Sequence, residues 1–130
     1  MRVRGMAMGA LVATALLCNV AAFAHHSNVA FVVTKVVTIS GVVKDFAWRN
    51  PHTWLTLDVN DGNGGKVEWA LEGRAPGVLL RAGWSRTSLK PGDTVTVDMS
   101  PAKDGSKTGL IARVTKADGT ILANAPPPTE

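Results

Sequence analysis

Two short runs flanking a cluster of glycine, asparagine and aspartate constrain this chain most. Thr53 to Val59 (TWLTLDV) alternates, with Trp54, Thr56 and Asp58 on one side and Leu55, Leu57 and Val59 on the other, the period of a half-buried strand. Lys66 to Glu72 (KVEWALE) sets Val67, Trp69 and Leu71 on one face. Between them Asn60 to Gly65 (NDGNGG) is dense in residues that tolerate positive φ, so the two runs read as an antiparallel hairpin.

The rest of the chain is built around that hairpin. Residues 34 to 48 (TKVVTISGVVKDFAW) are rich in Val, Ile and Thr, and the isolated Gly41 predicts a bulge or sharp bend in one long strand. Asn50-Pro51 ends that strand, because proline has no amide hydrogen to give a ladder. After the hairpin, Pro76 suits the first turn of a short helix and Gly83 its left-handed end. Lys90-Pro91-Gly92-Asp93 is a tight-turn signature ahead of TVTVDM, whose Val95, Val97 and Met99 alternate with polar residues. Ala102 to Thr108 is a polar loop, Leu110 to Ala117 a further strand, and Asp118-Gly119 a turn into a short Thr120–Leu122 segment. The order predicts an all-β chain: a small five- to six-stranded OB-like Greek-key barrel with one short helix between strands 3 and 4. A small sandwich is compatible with the same order.

The first residues carry Arg2 and Arg4, and no acidic residue occurs before Asp45. Ala10 to Val20 is apolar apart from Asn19, too short for a bilayer core of ~30 Å that needs about 20 residues of helix. Ala22-Phe23-Ala24 then offers the small residues of a signal-peptidase site. Residues 1–24 therefore read as a signal peptide cleaved after Ala24, 25–35 as an N-terminal segment, 36–123 as the barrel and 124–130 as a mobile Pro-rich tail. The expected location is periplasmic, with no stable membrane anchor after processing. Cleavage takes away two of the 14 basic residues and none of the 10 acidic ones, lowering the net charge from +4 to +2, and it removes Cys18, the one cysteine. An apolar core, not disulfides, must hold the domain.

Several motifs recur together. They are AHHS at Ala24–Ser27, the G-V-V to W-x-N-P-H run from Gly41 to His52, and Val67-Glu68-Trp69 with Ala70-Leu71-Glu72. LLRAGW at Leu79–Trp84, SLKPGDTVTV at Ser88–Val97, and the AKDGS loop followed by Asp118-Gly119 complete the set. On these the chain resembles a family of small exported bacterial proteins catalogued as a domain of unknown function. The resemblance implies a periplasmic β-barrel and brings no activity.

Two constellations carry chemistry. Trp48, Arg49 and Trp54 are candidates for a ligand face, since OB barrels bind on their early strands and an indole beside a guanidinium suits a planar or sugar ligand. The competing reading is that tryptophans in a small domain are core, as Trp69 should be beside Val67 and Leu71. His25, His26 and His52 are the metal candidates. A His at a processed N-terminus offers imidazole and α-amine together, a grip suited to Cu(II), with His52 or His26 as third ligand. Such ligands must be neutral, so affinity should fall as pH drops. Against this stands the plain reading that His25 and His26 are solvated and His52 packs at a turn.

Nucleic acid is disfavoured as a partner by the small, scattered positive charge. Enzymatic function is disfavoured too: no nucleophile elbow, cysteine nucleophile or phosphate loop is present. Glu68 and Glu72 read as strand-surface residues. The expected function is a non-enzymatic periplasmic module that binds a small ligand or another periplasmic protein, with copper binding through the new N-terminal His as the alternative.

Overall fold

The computed structural model describes residues 27–125. The proposed signal peptide, His25, His26 and the prolines of the tail lie outside them. A single helical turn, α1 (Ser27–Ala30), precedes β1 (Val37–Ala47), β2 (Trp54–Asn60), β3 (Lys66–Glu72), α2 (Pro76–Arg81), β4 (Thr94–Pro101), β5 (Thr108–Lys116) and β6 (Ile121–Ala123). The sheet order is β3-β2-β1-β4-β5-β6, and a parallel β3–β5 pairing closes the first five strands into a barrel. The chain is thus all-β with an OB-like barrel, a helix between strands 3 and 4, and one extra strand.

Local chemistry explains the elements. The hairpin pairs Asn60 with Lys66 and runs in register to Trp54 and Glu72, its loop turning on Gly62 and Gly64 at φ near +83° (82° and 84°). Pro76 opens α2, and Gly83 follows it at φ +89°, beyond the reach of most L side chains.

The long first strand is shorter than the sequence suggests, and its bend and bulge are separate features. Residues Val37 to Val42 pair with β4, and Val42 to Ala47 pair with β2, so the strand changes partner at Gly41 and Val42. A Cβ on Gly41 would stand 2.6 Å from the Asp58 carbonyl oxygen, which is why the bend needs glycine. The bulge itself lies at Lys44, where the register with β2 slips between Val43 and Asp45.

Inward alternation builds the core. Leu55, Leu57, Leu71, Val97, Met99 and Val114 are fully buried, each contributing about 1.5–3 kcal/mol of transfer free energy. Trp84 is buried with them, and its indole N–H donates to the Ala123 carbonyl at 2.6 Å, tying the helix end to β6. Asn124, assigned to the tail from sequence, belongs to the barrel: it is buried, and its side-chain oxygen accepts from the Arg74 amide.

Closure staggers the strands, as in any barrel. A row of neighbours leaves β1 at Ala47, passes Trp54, Glu72, Leu110 and Ser100, and beside Ser100 meets Met99, the partner of Val37. The two ends of β1 are thereby connected through one band of residues around the barrel. The N-terminal segment is pinned along the same band. Phe31 bridges Ala102, Val32 N–H donates to Pro101 O at 2.9 Å, and Lys103 N–H donates to Ala30 O at 2.9 Å.

Candidate functional site at the barrel mouth

His52 sits in the β1–β2 connection, directly after the cis Asn50–Pro51 peptide. The chain on either side of the site is stitched together. Thr53 N–H and Thr53 Oγ1 both donate to the Arg74 carbonyl (3.2 and 2.9 Å), and Gly73 N–H donates to Thr53 O at 2.9 Å. Thr53 is buried, and a Cβ on Gly73 would collide with its hydroxyl. These bonds hold the residue before Thr53 against the residue before Gly73. Those residues are His52 and Glu72.

His52 Nδ1 lies 2.7 Å from Glu72 Oε1. The approach is off-line for an ideal hydrogen bond, and Nδ1 has no other partner. The carboxylate is the charged group within reach of the imidazole on that side. Nδ1 is buried while a third of the side chain is exposed, which leaves the exposure on the side of Nε2. Among the described residues nothing hydrogen-bonds Nε2.

Glu72 corrects the expectation that it is a strand-surface residue. It points outward, as alternation requires, but it is only 7% exposed, with Trp54 opposite it on β2 and Leu110 on β5. Glu68, four residues earlier on the same face, is exposed and paired with Lys44. Sequence reasoning missed Glu72 because one of its two strand neighbours, Leu110, comes from a strand distant in the chain.

The other candidates fall in different places. Trp48 packs against the core with an edge-to-face contact to Phe46 at 5.8 Å, and Arg49 is exposed. Trp54 is half-buried on the outward side of β2, beside Glu72. Trp48 and Trp54 therefore serve opposite sides of the wall and form no continuous stacking platform. Trp69 is half-buried against the core, with Lys107 Nζ 5.2 Å from its ring centroid. A shallow hollow of about 240 Å³ lined by Asp93, Thr94, Lys116, Ala117 and Asp118 contains none of the candidates. Its carboxylates are engaged with turn amides, Asp93 with Lys90 and Asp118 with Thr120.

No group of three or more His, Cys, Asp or Glu side chains able to hold a metal occurs among the described residues. Of the three metal candidates His52 is described, whereas His25 and His26 lie outside those residues. What the geometry defines is an OB-like barrel with an oriented histidine in its β1–β2 loop, and by analogy with that fold this loop is one of the positions where such barrels meet their ligands.

Residues 13–113 match the model of a family of unknown function, DUF6152, and the chain belongs to that family. No curated protein and no solved structure matches it.

Proposed function

We propose that the protein is an exported, periplasmic, non-enzymatic binding module that holds a copper ion at the barrel mouth. The observation that supports this reading is the position of His52 in the β1–β2 loop, a third of its side chain exposed, with Glu72 Oε1 2.7 Å from Nδ1 and no hydrogen bond to Nε2 among the described residues. Export is supported by Arg2 and Arg4, the apolar run from Ala10 to Val20 and Ala22-Phe23-Ala24. Cleavage after Ala24 would expose the amine and imidazole of His25, and nitrogen donors of this kind suit Cu(II).

The described part of the N-terminal segment runs along the same band of strands as Glu72, three cross-strand steps away. The N-terminal segment is anchored at Ala102, whose N–H donates to Thr108 O; Thr108 in turn pairs with Ala70, two residues from Glu72. Each of these steps across strands is about 5 Å.

Intact mass of the exported protein and a Cu(II) titration followed by electron paramagnetic resonance test the proposal. The expected results are a chain beginning at His25 and one nitrogen-coordinated Cu(II) that changes on His25→Ala and on His52→Ala. A different first residue, no nitrogen-coordinated signal, or a signal indifferent to both substitutions would overturn it. An added Met before His25 must be avoided, because it would alter the ligand set.

A further inference from the structure

We infer that Asn63, in the hairpin loop between β2 and β3, is a site of covalent modification: water converts its side-chain amide, through a cyclic imide formed with the Gly64 nitrogen, to a mixture of aspartate and isoaspartate. The inference is independent of the copper reading and of the barrel mouth.

An Asn-Gly or Asp-Gly bond is chemically weak because the glycine nitrogen, with no side chain beside it, reaches the preceding side-chain carbon and closes a five-membered ring. Four such bonds lie among the described residues: Asp61-Gly62, Asn63-Gly64, Asp104-Gly105 and Asp118-Gly119. In three of them both reacting groups are already engaged. Gly62 N–H donates to Asn60 Oδ1 at 2.9 Å, and Asp61 Oδ1 accepts from the Asn63 and Gly65 amides. Gly105 N–H donates to the Ala102 carbonyl while Asp104 accepts from Ser106, and Gly119 N–H donates to the Lys116 carbonyl while Asp118 accepts from Thr120. At Asn63-Gly64 neither group is held. Among the described residues nothing hydrogen-bonds the Asn63 side chain or the Gly64 N–H, both residues are exposed, and the space where a Gly64 Cβ would stand is open. Asn60 and Asp61 thus tie down the amides on both sides of Gly64 and leave its own free. Other asparagines lack one half of the chemistry: Asn50 is followed by a proline with no N–H, Asn60 is bonded to Gly62, and buried Asn124 accepts from Arg74.

The Gly64 nitrogen gives its proton to solvent base and attacks Asn63 Cγ; the Cγ–Nδ2 bond breaks and ammonia departs. Water then opens the imide. Addition at Cγ leaves an ordinary peptide link with aspartate at position 63, whereas addition at the backbone carbonyl carbon leaves the chain running through Cγ as isoaspartate. The net reaction consumes water and releases ammonia. Either product brings a second carboxylate into a loop that Asp61 already organises, and isoaspartate lengthens the backbone between the paired residues Asn60 and Lys66.

The test is incubation of the exported protein in mildly alkaline buffer, with circular dichroism following the fold. Isoelectric focusing should show one new species carrying an extra negative charge, and mass-spectrometric peptide mapping with isoaspartate detection should place the change at Asn63. Asn63→Ser should abolish that species, and Asp61, Asp104 and Asp118 should yield no isoaspartate while the chain stays folded. An Asn63 that stays intact in the folded protein, or a change that appears first at another asparagine or aspartate, would overturn the inference. So would an acidic species that persists in Asn63→Ser.

Discussion

Two walls of the barrel each carry a carboxylate with its partners on the outer face, and the two are built differently. On the β1–β4–β5 wall, Asp98 accepts from the Thr38 hydroxyl at 2.7 Å and from the Arg113 guanidinium, and Ser40 meets Thr96 beside them. Thr38 and Ser40 are exposed, while Thr96 and Asp98 are partly covered and the Asp98 carboxylate is about a fifth exposed. At the end of the β2–β3 wall, Glu72 is buried between the strand partners Trp54 and Leu110 and faces a histidine from a loop. The first arrangement is a cross-strand ladder of modest worth, and the second places charge where packing alone would put an apolar group. Sheet construction accounts for Asp98. Glu72 depends in addition on the loop residue His52.

The largest expected effect lies at the seam that joins the two walls. Gly109 pairs with both Leu71 and Pro101, and a Cβ there would run into Met99. Gly109→Val should cost about 2–3 kcal/mol by overpacking, measured by denaturant unfolding. A neutral result would mean that the closure is looser than described and that the two walls are not held in one frame.

Glu72→Ala comes next. It removes the carboxylate 2.7 Å from the buried His52 Nδ1 and the interactions Glu72 makes there, a loss of about 1–3 kcal/mol. Asp98→Asn should cost only about 0.5 kcal/mol, because exposed pairs are screened. Equal costs for the two substitutions would erase the contrast between the walls.

Acid sharpens the same comparison. The Thr38 hydroxyl first, and the Arg113 guanidinium second, hold Asp98 below the usual carboxylate range. A depressed folded-state value means that the stabilisation is present at neutral pH and is lost as pH falls through that value. The stabilities of the unaltered protein and Asp98→Asn should therefore converge in acid. The smallest effect is expected of Lys44→Ala, which removes a fully exposed partner of Glu68 and should leave the unfolding midpoint unchanged.

Much of the barrel is legible in the sequence because its signals are local. Leu55 and Leu57 alternate with polar neighbours, NDGNGG marks the hairpin, and Pro76 and Gly83 bound the helix. The Lys44 bulge leaves no such mark, since a polar residue in a β-rich run looks like ordinary alternation. The β3–β5 pairing is also hidden, because parallel partners 38 residues apart, Ala70 and Thr108, are joined only by closure.

The site is half legible for the same reason. His52 stands out beside Asn50-Pro51, and the hairpin turn, once read as Asn60 opposite Lys66, already places Trp54 opposite Glu72. The second cover over Glu72, Leu110, comes from the hidden pairing. Without it Glu72 looks like Glu68.

The most direct test compares the Cu(II) affinity of the exported protein with that of a synthetic peptide covering residues 25–36, under identical competition conditions. The peptide carries the amine and both N-terminal histidines but no barrel. If His52 supplies a ligand, the protein binds more tightly than the peptide and His52→Ala falls back to the peptide's affinity. Equal affinities for protein and peptide would contradict the account, because the barrel would then add nothing to the ion.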